Sequence, residues 1–301
     1  MIKTGPVDHP AIAGIPLVLG GNVFGWTIDR DRSFAVLDAF YDAGGRMIDT
    51  AEGYSNWVPG NKGGESETII GEWLESRGVR SEMRIGTKTG QGGPPGALRP
   101  EAVGPALEAS LERLRTDYVD LYYAHRDDPA TPLDEAVDAF GAAFRLGQAR
   151  ELGASNYTAE RLTAALETAD RLGTQPFTVL QPLYNLVARS SFEGSLQDLC
   201  VARGITGLPY YGLASGFLSG KYRSADDWTG SDRARGLDQA AADGGWETLA
   251  ALREVAGELG DAGAGRPRLA QHTSCNRCPA RQRNEPRTSR RSRQKRADGN
   301  Y

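Results

Sequence analysis

Cysteine is scarce in this 301-residue chain, where Cys200, Cys275 and Cys278 are the whole supply. Three thiols cannot build the disulfide framework of a small secreted scaffold, and they fit a reducing compartment. Long apolar runs are missing too. No stretch approaches the ~20 residues that cross a bilayer, and the opening "MIKTGPVDHPAIAG" lacks the basic-then-apolar order of a secretory leader. The expectation is a cytoplasmic protein with no membrane partner. Positive charge is absent as a surplus from most of the chain. Residues 261–301 hold eleven Lys/Arg against three Asp/Glu, which leaves residues 1–260 at a net charge of -12 within a total of -4. A body that acidic has no general reason to seek phosphate backbones, so no nucleic-acid partner is expected. Nor does the body contain a Cys/His cluster with metal-ligand spacing, so no metal is expected.

What is present is an alternation. At 39% hydrophobic the chain can bury a large core, enough for one big α/β domain or two small ones. Strands are predicted at 15–21, 46–50, 83–88, 118–125, 150–155, 178–183 and 205–211. Amphipathic helices are predicted between and after them at 33–43, 65–77, 100–116, 132–147, 158–172, 192–203 and 245–260. The helix at 100–116 opens on Pro100 and Glu101 and repeats apolar residues at Val103, Leu107, Leu111 and Leu114. The helix at 158–172 starts from Thr158 and stops at Gly173. Seven strand–helix units imply a parallel sheet, either open and doubly wound or closed as a (β/α)8 barrel, the TIM barrel. The count favours the α/β barrel, and the eighth unit is due just where the composition changes.

In a barrel, side chains at the C-terminal strand ends converge. Here they are Asp49 and Tyr54 in "MIDTAEGYS", Lys88 in "IGTKTG", His125 in "LYYAHRDD", Ser155 and Asn156 in "GASNY", and Gln181 in "LQPLYN". Singly, each has an ordinary reading as a cap, a rim charge or a loop aromatic. Together they make a coherent proton donor. A phenol with a pKa of ~10 is a poor acid at neutral pH. An adjacent ammonium is expected to lower that value, a carboxylate to hold the ammonium, and an imidazole to orient a carbonyl oxygen.

These four groups, in this order and spacing, resemble the aldo-keto reductase superfamily from about residue 15 to about residue 260. The resemblance implies reduction of an aldehyde or ketone substrate by hydride from NADPH, with NADH possible, while Tyr54 protonates the oxygen. It further implies that Ser155, Asn156 and Gln181 hold the nicotinamide carboxamide and that Tyr210 stacks on the ring. Gly212, Leu213, Gly216 and Lys221 of "YGLASGFLSGK" would line the pyrophosphate, with Gly21, Asn22 and Val23 of "LGGNVFG" on the substrate side. Trp26, Trp57 and Tyr123 either shape the substrate pocket or pack. A rival reading keeps the fold without turnover, as a nucleotide sensor like the potassium-channel β subunits.

The segment "CNRCPARQRNEPRTSRRSRQKR", Cys275 to Arg296, contains no Val, Ile, Leu, Met, Phe or Trp. Zinc needs a second ligand pair beside Cys275 and Cys278, and only His272 is near. A basic arm is the second reading. The third is a frameshift: Gly260 to Asn300, back-translated and read one nucleotide later, gives "ALAWL" and "GSATSPEQAEEV" with one permitted choice of codons. Those strings resemble the helix and the phosphate-gripping loop that close the family's barrel. The expected organisation is therefore a reductase-like barrel over 1–260 followed by a non-family tail over 261–301. The eighth strand would be missing, two sheet edges unpaired and cofactor affinity weak, and such a chain could be an inactive product.

Overall fold

The computed structural model describes residues 9–10 and 17–258. The predicted tail, the first two positions of the strand at 15–21 and the last two of the helix at 245–260 lie outside the described residues. Seven strands follow one another: β1 (Val18–Gly20), β2 (Met47–Asp49), β3 (Arg84–Thr89), β4 (Leu121–Ala124), β5 (Leu152–Ser155), β6 (Val179–Gln181) and β7 (Thr206–Gly207). All pair in parallel and in sequence order, so each crossover carries the chain one strand onward. The crossovers are α1 (Arg30–Asp42), α2 (Glu65–Arg77), α3 (Pro100–Leu114), α4 (Leu133–Arg145), α5 (Ala159–Leu172) and α6 (Ser195–Arg203).

The sheet is curled. Gln181 on β6 hydrogen-bonds Asp49 on β2 at 3.1 Å, although four strand spacings would separate them by ~19 Å in a flat sheet. The architecture is that of a (β/α)8 barrel through its seventh strand, without the last unit among the described residues. Met47, Leu121 and Val179, from β2, β4 and β6, fill the interior with Val18 and Leu208. Asp49, Tyr123 and Gln181 stand one layer nearer the C-terminal ends of the same strands, as inward side chains from alternate strands do. The outward residues Ile48, Ile85, Tyr122 and Leu180 pack against Ile70, Trp73, Leu107, Phe140 and Leu166 of the helices.

Local rules explain most boundaries. Asp29 accepts the Arg32 amide at 2.9 Å and starts α1 three residues earlier than predicted. α3 begins on Pro100 and buries Val103, Leu107, Leu111 and Leu114, but a left-handed Arg115 (φ 54°) ends it before residue 116. Thr158 caps α5 and Gly173 closes it, as the sequence predicts. Gly194 at φ 97° delays α6 from 192 to 195. β7 keeps only two residues of the strand predicted at 205–211, because a long irregular loop begins there.

The stretch that the family resemblance assigns to the pyrophosphate, "YGLASGFLSGK", lies in this loop, and the predicted helix at 245–260 appears after it, but the turns and short helix between them were not predicted. After β7 come two 3-10 turns (Ala214–Ser219 and Ala225–Trp228), then α7 (Ala234–Ala240) and α8 (Trp246–Glu258). They share their own apolar cluster of Phe217, Leu218, Trp228, Leu237 and Leu249, with Trp246 stacked 5.9 Å from Trp228. The β7 loop is thus anchored by aromatic packing of its own.

Candidate active site

β2 ends at Asp49 and the chain turns at once over the end of β3. Thr50 donates its amide to Gly86 O at 2.8 Å, and Glu52 to Lys88 O at 3.1 Å. This turn carries Tyr54 above Lys88, which projects inward from β3. Lys88 is 0% exposed, and its three protons match three acceptors: Asp49 Oδ2 at 2.6 Å, Thr50 O at 2.7 Å and Tyr54 OH at 3.0 Å. The other oxygen of Asp49 accepts from Gln181 Nε2. Asp49, Lys88, Tyr54 and Gln181 therefore form one connected network in a dry setting, where an unmatched charge would be costly.

Burial alone disfavours the Lys88 ammonium, but the Asp49 carboxylate and the Tyr54 oxygen more than offset it and hold its pKa above the ordinary lysine value. The phenol corrects an expectation. Burial raises the Tyr54 pKa, the Lys88 ammonium pulls it down and Asp49 pushes it up again, and the net result lies above 10.0 rather than below. Desolvation of the phenolate outweighs the neighbouring cation. The phenol holds its proton, and Lys88 limits how firmly.

His125 follows β4, its amide bonded to Thr89 O at 2.8 Å, and its ring lies 5.9 Å from that of Tyr54. It is 6% exposed, and its Nδ1 has no hydrogen-bond partner among the described residues. Burial, then the charges of Lys88 and Arg126, lower its pKa to about 2. The ring is neutral across the physiological range.

Ser155 and Asn156 stand beside this group. Asn156, left-handed at φ 57°, donates to His125 O and Ser155 Oγ at 3.0 Å each and accepts from Tyr210 OH at 2.7 Å. Ser155 Oγ donates to Gln181 O at 2.9 Å. Beyond Tyr210, the residues Gly212, Leu213, Gly216 and Lys221 lie on the β7 loop, in which Tyr211, Ala214, Ser215 and Gly216 all have positive φ. Such a run in non-glycine residues is costly and marks a backbone shaped for contact. Leu213 O accepts the Gly216 and Leu218 amides, while the Lys221 ammonium sits 4.7 Å from the Tyr222 ring centre.

The remaining predicted residues divide. Trp57 is half exposed and bridges Trp26 (5.3 Å, perpendicular) and Tyr54 (6.4 Å). The first-strand loop is a packing joint at its start. Gly21 is buried, and a Cβ there would meet Ser66 Oγ at 2.8 Å. Asn22 and Val23 are partly exposed, and the Val23 carbonyl collects the amides of Trp26, Thr27 and Ile28. Tyr123 is fully buried beneath Lys88, whose nitrogen is 5.7 Å from the ring centre, and a Cβ on Gly153 would fall 2.4 Å from Tyr123 Cδ1. It forms the floor under the site, not an exposed wall. Sequence reasoning missed the Thr50 carbonyl, Glu52 and Ser55, which hold the Tyr54 turn, and Asn185, which is buried and donates to Tyr211 O at 3.0 Å. Backbone acceptors leave no trace in residue identity, but the acid at position 52, two residues before Tyr54, was a readable signal.

The sequence profile of the Aldo/keto reductase family matches residues 16–265. This chain belongs to that family. The match runs through all seven strands and stops at 265. Among curated relatives, a probable voltage-gated potassium channel subunit beta of Oryza sativa subsp. japonica is 33% identical over 246 residues, covering 79% of this chain and 73% of that protein. The aldo-keto reductase str7 of Strobilurus tenacellus is 32% identical over 234 residues, covering 76% of this chain and 65% of that protein. The norsolorinic acid reductase stcV of Emericella nidulans is 34% identical over 242 residues, covering 72% and 58%. Aldo/keto reductase membership and the buried Tyr54–Lys88–Asp49 network agree on an oxidoreductase scaffold. The donor set also suits a nicotinamide carboxamide, since Ser155, Asn156 and Gln181 offer hydroxyl and amide groups at adjacent strand ends. Among the described residues, no helix is long and apolar enough to cross a membrane.

Proposed function

We propose that this protein reduces an aldehyde or ketone to the alcohol, using NADPH, with NADH as a possible substitute. The observation that carries the reading is the 3.0 Å contact from a fully buried Lys88 to the Tyr54 hydroxyl, with Asp49 2.6 Å behind it. When bound, the nicotinamide supplies a hydride. Tyr54 donates its proton to the carbonyl oxygen, and Lys88 stabilises the phenolate left behind, an anion this apolar setting would otherwise reject. Asp49, steadied by Gln181, keeps Lys88 charged. Neutral His125 orients the carbonyl oxygen as a hydrogen-bonding partner and never as a cation. Ser155, Asn156 and Gln181 would hold the carboxamide, Tyr210 would stack on the ring, and Gly212, Leu213, Gly216 and Lys221 would carry the pyrophosphate. Asn22 and Val23 would border the substrate, with Trp26 and Trp57 as an aromatic wall.

The test is the oxidation of NADPH, followed by its absorbance, across a panel of aldehydes and ketones. Carbonyl-dependent turnover supports the reading. Tight NADPH binding without turnover would favour the second reading, a nucleotide sensor, to which the likeness to potassium-channel β subunits lends weight. We also infer that the reading frame shifts near Gly260, which makes residues 261–301 a tail foreign to the family and cytoplasmic carbonyl reduction the role of the frame-corrected protein. The end of the family match at 265 supports this. The gene's nucleotide sequence decides it, since early stop codons in the shifted frame would refute it.

A further inference from the structure

We propose that Glu52 is the positioning residue that sets the Tyr54 phenol against Lys88, by tying the turn after β2 to the end of β3. The inference rests on the reading of Tyr54 as proton donor. Lys88 is fixed within a six-residue strand, whereas Tyr54 belongs to no helix or strand. Its turn closes on single backbone contacts, Tyr54 N to Ala51 O at 3.2 Å and Asn56 N to Gly53 O at 3.3 Å. Gly53, the residue before Tyr54, has no Cβ to restrict its dihedrals. A 3.0 Å contact between a strand side chain and a loop side chain therefore needs an anchor close to the phenol.

Glu52 supplies that anchor. Its Oε1 accepts from the hydroxyl of Thr89, the last residue of β3, and from the amide of Gly90 just beyond it at 3.0 Å. Its own amide donates to Lys88 O at 3.1 Å. The residue thus grips the lysine's strand with backbone and side chain together, through charge-assisted bonds stronger than neutral ones. On the other side of Tyr54, Ser55 is held at φ 71° with its hydroxyl on Phe24 O at 2.9 Å. Tyr54 is suspended between two pins, one to β3 and one to the loop after β1, and only the first is shared with Lys88.

The experiment uses the full chain with Glu52→Ala, Glu52→Gln and Thr89→Val. Glu52→Ala is expected to lower kcat on the order of tenfold to a hundredfold, as a slightly displaced reacting group does, with the Kd for NADPH within about twofold of the parent. Glu52→Gln keeps an acceptor oxygen and is expected to stay within about threefold of the parent kcat. Thr89→Val should lower kcat in the same sense, and the Glu52→Ala/Thr89→Val pair should be no worse than Glu52→Ala alone. An unchanged kcat in Glu52→Ala, or a loss shared equally by kcat, cofactor affinity and melting temperature, would overturn the proposal. A second measurement needs no turnover: the Tyr54 phenol, followed by NMR of ring-labelled tyrosine, should titrate higher in Glu52→Ala because the ammonium is no longer held beside it. An unshifted titration would overturn the proposal. A parent chain that never oxidises NADPH would instead strike at the reading of function, leaving the NMR titration to judge Glu52.

Discussion

Lys88 is the residue on which the site depends, because it is both fully buried and fully charged. Lys88→Met removes the cation and strands Asp49 as an unpaired buried carboxylate. The expected cost is about 3–5 kcal/mol in urea unfolding, with partial recovery in the Asp49→Asn/Lys88→Met pair. Its kcat should fall on the order of a hundredfold or more. His125 makes a pH prediction with a definite sign. Its folded pKa of about 2 lies below the 6.5 of the unfolded chain, so between those values the unfolded state binds the extra proton. Stability credited to His125 is complete above pH 6.5 and declines on acidification, by roughly 1.4 kcal/mol per pH unit. Denaturant titrations at pH 7, 6 and 5 should show this slope in the parent and lack it in His125→Asn; equal slopes would contradict the burial argument. Sequence reasoning reached these two residues because strand-end position alone directs them inward. It misjudged the Tyr54 pKa because residue identity shows the ammonium next door but not the absence of water around the phenol.

The elements that carry the site are short and depend on their packing. α2 approaches α3 so closely at Gly71 that a Cβ there would lie 2.2 Å from Arg113 O. Just beyond, the buried Glu67 accepts from Thr87 on β3 and from Arg113 at 2.6 Å. Gly71→Ala must push the two helices apart and is expected to cost about 1–3 kcal/mol or more in thermal or urea unfolding. A loss below ~0.5 kcal/mol would show that the helices can separate freely. Elements whose signals are local, such as α3 on Pro100 and α5 between Thr158 and Gly173, were legible because capping chemistry is written in the adjacent residues. α7 and the turns after β7 were not. Their apolar residues Phe217, Trp228 and Leu237 pack with one another and with Trp246 of α8 across about thirty positions, so no single window shows a helical or strand period.

At the scale of the molecule, β1 and β7 each have one strand neighbour among the described residues, and the interior layers from β2, β4 and β6 await a fourth contributor. A frame-corrected chain should close the barrel and melt higher by on the order of 10 °C, which for a protein of this size corresponds to several kcal/mol. Its NADPH affinity should rise as well. Equal melting temperatures in differential scanning calorimetry would remove the case for a missing unit. The barrel was countable from the strand–helix alternation, because each unit repeats the same two periodicities; its curl became visible only through the Gln181–Asp49 bond, which no spacing in the chain announces. The most direct test of the whole account is the pre-steady-state oxidation of NADPH by the parent and by Tyr54→Phe at saturating cofactor and aldehyde. The parent is expected to oxidise NADPH in a carbonyl-dependent way and Tyr54→Phe to lose that rate by on the order of a hundredfold or more, with NADPH bound equally by both. Undiminished oxidation in Tyr54→Phe would contradict it.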